Sequence, residues 1–218
     1  MEHAFWHERW QQNQIGFHNE SVNSHLQNFW SAVQIAQNKQ VLVPLCGKSK
    51  DILWLLAQGH DVVAVELSPL AVQAFFAENN LLPKIAQAEH FTLNQIDGLA
   101  VYCGDFFQLT AKQLADCAVV WDRASLVALP IDMRSAYARH LQHLLTPGAQ
   151  ILLVTFDYPQ AEMEGPPFCV NDGEVRALYS GWCDIELLHS EDILDREQHF
   201  RDRGLSYMQE QVYLITVR

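Results

Sequence analysis

The sequence predicts an α/β protein built on a doubly wound, mostly parallel sheet, and three observations carry that expectation. Short apolar runs rich in β-branched residues alternate with amphipathic stretches, the pattern of a sheet covered on both faces by helices. Turn and capping residues punctuate the chain where strand must become helix. The 218 residues are 49% hydrophobic and 18% charged, without repeats or low-complexity tracts, which suits one packed core. Residues 1–218 are therefore expected to form a single domain, with 1–39 as an N-terminal segment of distinct character and 40–218 as the Rossmann-like, sheet-bearing core.

Residues 1–39 are rich in aromatic and amide side chains, among them Phe5, Trp6, Trp10, Phe17, Phe29 and Trp30. Helical spacing is expected over His3–Gln12 and Val22–Gln37, with Gly16 as a break. Gln40–Leu45 reads as the first strand and closes on Pro44-Leu45-Cys46-Gly47. Ser49 is placed to cap a helix whose apolar members are Ile52, Leu53, Leu55 and Leu56, and Gly59 suits its exit. Asp61–Glu66 reads as a second, buried strand. Ser68-Pro69 starts the next helix, a hydroxyl cap followed by proline in the first turn; it carries Leu70, Ala74 and Phe75 and fades at Asn79-Asn80. Residues 84–98 fit an inserted loop or hairpin. Leu99–Cys103 and Cys117–Trp121 are the third and fourth strands. Pro130–Leu145 is a helix with Met133, Tyr137, Leu141 and Leu144 on one stripe, and Ile151–Phe156 is the fifth strand. Pro166-Pro167 falls in a loop and Asp172–Tyr179 in a short helix. Ile185–Leu188 and Glu210–Val217 are late strands with no long helix between them, so an antiparallel pair is expected at one sheet edge.

The formal net charge is −12. That argues against a nucleic-acid partner, whose phosphates call for a basic face, and against docking on anionic lipid. No apolar run approaches the ~20 residues of a membrane span. Met1–Trp10 has no apolar h-region, so no signal peptide is expected. The five cysteines (Cys46, Cys103, Cys117, Cys169, Cys183) are scattered and form no C-x-x-C pair. Neither a disulfide framework nor a zinc ribbon is expected, and a reducing cytoplasm fits. His3 with His7, and His140 with His143, share helical spacing but lack a third ligand or an H-E-x-x-H pattern, so no metal is expected. With no long exposed apolar stripe, a monomer is expected.

Ligands of open α/β sheets bind beyond the carboxyl ends of the strands, near the switch in strand order. The first strand delivers Leu45, Cys46 and Gly47 there, the second Glu66, the third Gly104, Asp105 and Phe106, the fourth Asp122, Arg123 and Ala124, and the fifth Asp157 and Tyr158. Gly47 lets backbone approach a ligand. Glu66 follows about 20 residues later, where a carboxylate ending the second strand accepts both ribose hydroxyls. Asp105 is placed to accept from an exocyclic adenine amine and Phe106 to flank the ring, which together specify an adenosine-containing ligand. A dinucleotide would need several glycines to expose N–H groups to its pyrophosphate, and the segment Pro44-Leu45-Cys46-Gly47-Lys48-Ser49 has one. S-adenosyl-L-methionine has no phosphate; it needs a cation for its carboxylate, for which Arg123 is the candidate. Trp6, Trp10 and Phe17 either pack the N-terminal segment or form an aromatic lid over the strand ends, where a sulfonium cation would favour an aromatic face.

The segments Val41–Ser49 (VLVPLCGKS), Gly59–Ser68 (GHDVVAVELS), Trp121-Asp122-Arg123 and Gly165-Pro166-Pro167-Phe168, with Trp6-x3-Trp10 and Gly16-Phe17-His18, closely resemble the thiopurine S-methyltransferase family over essentially the whole chain, and its bacterial branch in the length of the N-terminus. The resemblance implies a class I methyltransferase fold, seven strands with the last antiparallel, and methyl transfer from S-adenosyl-L-methionine to an aromatic or heterocyclic thiol such as a thiopurine. By position it puts Trp10, Leu45, Glu66 and Arg123 on the cofactor, Asp105 and Phe106 at the adenine, and Phe17 near the substrate, with Trp6 in the same aromatic lid. The segment after Tyr102-Cys103 is variable in the family, so the adenine contacts rest on it least.

Sulfonium-to-sulfur methyl transfer is an in-line displacement that asks for alignment, desolvation and a deprotonated acceptor rather than a covalent nucleophile. Arg123 is expected to add positive potential near the reacting atoms, and His18 to take a proton or orient a water. Three other readings stay open: a nicotinamide-dependent oxidoreductase, a non-catalytic S-adenosylmethionine sensor, and methylation of selenium or tellurium species in metalloid resistance.

Overall fold

The computed structural model describes residues 3–36, 39–114 and 117–218. Among them the strands are β1 (Gln40–Val43), β2 (Asp61–Glu66), β3 (Lys84–Ala88), β4 (Phe91–Ile96), β5 (Leu99–Cys103), β6 (Cys117–Asp122), β7 (Gln150–Asp157), β8 (Cys183–Asp192) and β9 (Gln209–Val217). The helices are α1 (His3–Gln11), α2 (Ser24–Phe29), α3 (Asp51–Ala57), α4 (Pro69–Glu78), α5 (Ile131–Leu144), α6 (Asp172–Tyr179) and α7 (Gln198–Asp202). The strands form one sheet in the order β3-β4-β5-β2-β1-β6-β7-β9-β8. From β5 to β7 all neighbours are parallel; β9 runs antiparallel between β7 and β8. The chain turns outward to β2 after β1 and returns on the other side as β6, so the switch in strand order lies between β1 and β6.

Alternation along each strand divides the core. Leu42, Val63, Val65, Val120, Ile151 and Leu153 face Tyr137 and Leu141 of α5 and Val175 and Tyr179 of α6. Val41, Val43, Val62, Ala64, Val119 and Trp121 face Leu26, Ile52, Leu55, Val72 and Phe75 of α2, α3 and α4. Both sheet faces are thus covered, as the continuous apolar strands predict.

Among the described residues the sheet has nine strands rather than seven. The additional pair is the 84–98 segment, which forms the hairpin β3-β4 and lies antiparallel on β5 through Thr92↔Cys103 to Ile96↔Leu99. The long helix expected over Val22–Gln37 is short. Asn23 caps α2 through its side chain, and after Phe29 the chain passes through a 3₁₀ turn at Trp30–Ala32. Beyond it the Gln34 N–H donates to Gln150 Oε1 at 2.8 Å, so a tertiary bond takes the donor a continuing helix would use. Gln37 lies outside the described residues. Ser49 does not cap α3: that position is Lys50, and Ser49 Oγ accepts from Asp51 N at 3.2 Å one residue upstream. Ser68 caps α4 with Pro69 in its first turn.

Asp51 ties the N-terminal segment to the core. Its side chain is buried at 3% exposure; Oδ1 accepts from Asn23 N at 2.8 Å and Oδ2 from Trp121 Nε1 at 2.9 Å. One carboxylate thereby joins the start of α2, the first turn of α3 and the end of β6. Replacing it leaves two buried donors unpaired, so Asp51→Ala is expected to lower the unfolding free energy by about 3 kcal/mol in urea denaturation.

Candidate active site

At the exit of β1, Leu45 and Gly47 both adopt left-handed backbone, φ +45° and +55°. Leucine there carries a steric cost of about 1–2 kcal/mol that the surroundings must offset. Two hydrogen bonds hold the turn: Cys46 N to Val65 O at 2.9 Å, and Ser125 Oγ, on the loop after β6, to Pro44 O at 2.7 Å. A Cβ at Gly47 would stand 3.2 Å from Trp10 Cζ2, so the indole lies directly on the glycine.

The turn aims Gly47 N at Glu66. The Glu66 side chain ends β2 at 6% exposure; Oε2 accepts from Gly47 N and Oε1 from Ser68 N, each at 2.7 Å. Burial raises its pKa, and the Ser68, Gly47 and Leu67 N–H groups pull it back. A carboxylate offers about four acceptor sites, so two strong backbone bonds leave capacity for hydroxyl donors. The cradle and its donor set therefore suit a ribose-bearing cofactor.

Arg123 follows β6. Its Nη1 donates to the Phe17 carbonyl at 2.8 Å, and it makes no ion pair among the described residues. Burial lowers its pKa, while Asp51 and Glu210 raise it. Its neighbour Asp122 is not its partner. Asp122 Oδ1 accepts from Leu126 N at 3.1 Å and Oδ2 from the Tyr137 hydroxyl at 2.8 Å, which fixes the loop that presents Arg123.

The N-terminal segment covers these strand ends. Trp6 and Trp10 each pack edge-on against Phe17 at 5.7 Å between ring centroids. His3 Nε2 lies 3.5 Å from Asp105 Oδ2, and Asp105 Oδ1 accepts from Phe107 N at 2.9 Å. Phe106 departs from expectation. Its ring is 3% exposed, packed at 5.1 Å against both Tyr137 and His140, so it supports the core and offers no open face to a nucleobase. The His18 side chain is 7% exposed; its Nε2 makes no hydrogen bond, and Glu20 Oε1 lies 3.4 Å away. Burial, then Lys48, lowers its pKa, while Glu20 and Glu78 act in the opposite direction.

The structure brings Leu45, Gly47, Glu66, Arg123, Trp6, Trp10 and Phe17 into one connected set, with Asp105 tied to its rim. Sequence reasoning missed Asp51 and Ser125, whose roles depend on partners far along the chain. Among the described residues no group of three or more His, Cys, Asp or Glu side chains is arranged to hold a metal, and no helix is long and apolar enough to cross a membrane.

A sheet with this strand order, parallel from β5 to β7, with β9 inserted antiparallel before the edge strand β8 and an acidic residue closing β2, defines a class I methyltransferase architecture. Solved structures share it. A SAM-dependent methyltransferase from Anabaena variabilis superposes with a TM-score of 0.64 at 11% identity, covering 99% of this chain and 95% of that one. The 1,6-didemethyltoxoflavin-N1-methyltransferase of Burkholderia thailandensis, solved with 1,6-didemethyltoxoflavin and S-adenosylhomocysteine, gives 0.61 at 14% identity over 99% and 87%. The Thiopurine S-methyltransferase family model matches residues 1–218. Proteins named thiopurine S-methyltransferase from Nitrosospira multiformis and Pseudomonas fluorescens SBW25 are 50% and 49% identical over 218 residues, covering 100% of this chain and 99% and 100% of theirs. The chain belongs to the thiopurine S-methyltransferase family. It is a methyltransferase, and its cofactor is S-adenosyl-L-methionine.

Asp122 gives the site a pH signature. Burial raises its pKa from 3.8 to about 6, against the opposing bonds from Leu126 and Tyr137. Between those values the folded protein holds a proton that the unfolded chain has lost, so the Asp122 contribution to stability falls as pH rises from about 4 to about 6 and stays lost above. Asp122→Asn is expected to remove that fall, on the order of 3 kcal/mol, when urea-denaturation free energies are compared at about pH 4 and about pH 7.

Proposed function

We propose that the protein methylates the sulfur of aromatic or heterocyclic thiols, thiopurines among them. The observation that carries this reading is the joint position of Glu66 and Arg123, on strand ends either side of the switch point and beneath the Trp6–Trp10–Phe17 roof, in a chain of this family. When bound, the cofactor supplies a methyl group made electrophilic by a positively charged sulfur.

Glu66 grips the ribose hydroxyls with the acceptor capacity that Gly47 and Ser68 leave free. The Leu45–Gly47 turn gives backbone access to the cofactor, and Asp105 receives the adenine amine. Arg123 meets the cofactor's carboxylate and adds positive potential that favours a thiolate acceptor. Trp10 and Phe17 close over the site, exclude water and present aromatic faces to the sulfonium. Trp6 and Phe17 contact the acceptor. His18, whose Nε2 makes no hydrogen bond within the protein, takes the acceptor's proton directly or through a water.

Calorimetric titration with S-adenosyl-L-methionine tests the grip of Glu66. Glu66→Gln and Glu66→Ala are each expected to weaken binding about a hundredfold, the loss of charge-assisted bonds to two hydroxyls; unchanged affinity would remove Glu66 from the ribose. His18→Ala is expected to lower kcat at neutral pH about tenfold or more for a thiol still protonated there, and far less for one already ionised. Equal rates for the two thiols in that variant would assign the proton elsewhere.

A further inference from the structure

Two loops flank the switch point, and both leave their strands through backbone that side chains rarely adopt. After β1 the chain passes through Leu45 at φ +45°, and after β6 through Ala124 at φ +60°. Left-handed backbone at such residues persists only where the surroundings impose it. The first loop is fixed from the β2 side, where Cys46 N donates to Val65 O at 2.9 Å. The second is fixed from the α5 side. Asp122 accepts from Leu126 N and from the Tyr137 hydroxyl, and Ala128 N donates to Ser125 O at 3.0 Å as the chain enters a 3₁₀ turn at Leu126–Ala128.

One contact fixes the two loops to each other. β1 and β6 pair as far as Leu42↔Val120, where their ladder ends. Beyond it, among the described residues, one hydrogen bond joins Pro44–Gly47 to Arg123–Ser125: Ser125 Oγ donates to Pro44 O at 2.7 Å. Ser125 is 0% exposed and Pro44 is buried, so the hydroxyl satisfies an acceptor that bulk water does not reach. Pro44 adjoins Leu45, and Ser125 follows Arg123 by two residues. The bond therefore ties together the bases of two candidate cofactor-binding elements that belong to different strands.

We propose that Ser125 is a positioning residue for the cofactor: its hydroxyl clasps the β1 loop to the β6 loop and so sets the span between the Leu45–Gly47 turn, beside the ribose, and Arg123, beside the carboxylate of the methionine tail. This rests on the assignment of Glu66 and Arg123 to the two ends of the cofactor made above. Without the hydroxyl the Pro44 carbonyl is an unpaired buried acceptor, and each strained loop relaxes by itself. A cation displaced by about 1 Å from its productive place loses much of its effect. A ligand that reaches both loops feels that change of span; one that touches only the Glu66 side does not.

Calorimetry compares S-adenosylhomocysteine, which reaches both loops, with methylthioadenosine, which keeps the adenine and ribose and lacks the amino-acid tail. In Ser125→Ala the Kd for S-adenosylhomocysteine is expected to rise about five- to tenfold and that for methylthioadenosine to stay within about twofold, so their ratio rises. Ser125→Cys, a weaker donor of nearly the same volume, is expected to raise the ratio about two- to threefold, and it decides the matter if the alanine variant does not fold. Arg123→Ala is expected to raise the same ratio, and adding Ser125→Ala to it to change the ratio no further, because the tail has lost the partner that Ser125 places. A wild-type ratio in the Ser125 variants, two Kd values that rise together, or a further rise in the double variant overturns the clasp and leaves the Arg123 assignment standing. A wild-type ratio in Arg123→Ala removes that cation from the carboxylate and this inference with it.

Discussion

A carboxylate taken out of water at a strand end must be solvated by the chain itself, and Glu66 shows how that requirement shapes the molecule. Its two oxygens are met by N–H groups from two different loops, Gly47 after β1 and Ser68 before α4. For Gly47 N to point there, the β1 turn must run through left-handed backbone, which glycine accepts readily and Leu45 accepts at a cost. The cost is carried by bonds from neighbouring elements, Ser125 to Pro44 and Cys46 to Val65. The Glu66 carboxylate is therefore held in place by the chain's own hydrogen bonds.

The lid follows a different logic. No residue of α1 is fully buried; Trp6 and Trp10 are half-buried, so the helix is held by partial burial of its aromatic face and by local contacts. It is held at points: His3 near Asp105, Trp10 on Gly47, and the Phe17 carbonyl on Arg123. Each anchor belongs to a different strand end, and each involves a residue assigned to the cofactor. A segment with few buried contacts opens at a small fraction of the global unfolding cost. The buried Asp51 bond to Asn23 N sets where that freedom stops, because beyond it the chain is tied to α3 and β6.

What was legible in the sequence was whatever depended on nearby residues. The apolar alternation, Ser68-Pro69, Asp172–Tyr179 and the Gly47-to-Glu66 interval all encode local geometry, and the structure realises each. Where long-range partners decide, the sequence was silent. The helix expected to run to Gln37 ends at Phe29 because Gln34 bonds a residue on β7. Asp51 and Arg134 look like ordinary helical surface charges, yet their partners lie in other elements and make them buried supports. Phe106 and Phe107 are adjacent and chemically identical, so no local signal told which ring would enter the core. The extra hairpin is indistinct in the sequence because Lys84–Ala88 is an exposed edge with almost no apolar alternation.

The two sides of the crevice thus differ in how their energy is stored. On the lid side the contacts are aromatic edges, the approach of His3 to Asp105, and one hydrogen bond from Arg123 to the Phe17 carbonyl. On the β7 side Arg134 is buried, and a buried guanidinium is tolerable only while its acceptors stay in place. Leu129 O, Cys169 O and Glu174 supply them from three separate segments, so moving the loop after β7 would strand a charge in a low-dielectric interior. Of the two sides, the β7 wall is the one whose shape is held by a buried charge and its three acceptor segments. Discrimination between acceptors of similar size needs such a wall, because a yielding one would adjust to each of them and forfeit the difference in affinity on which selectivity rests.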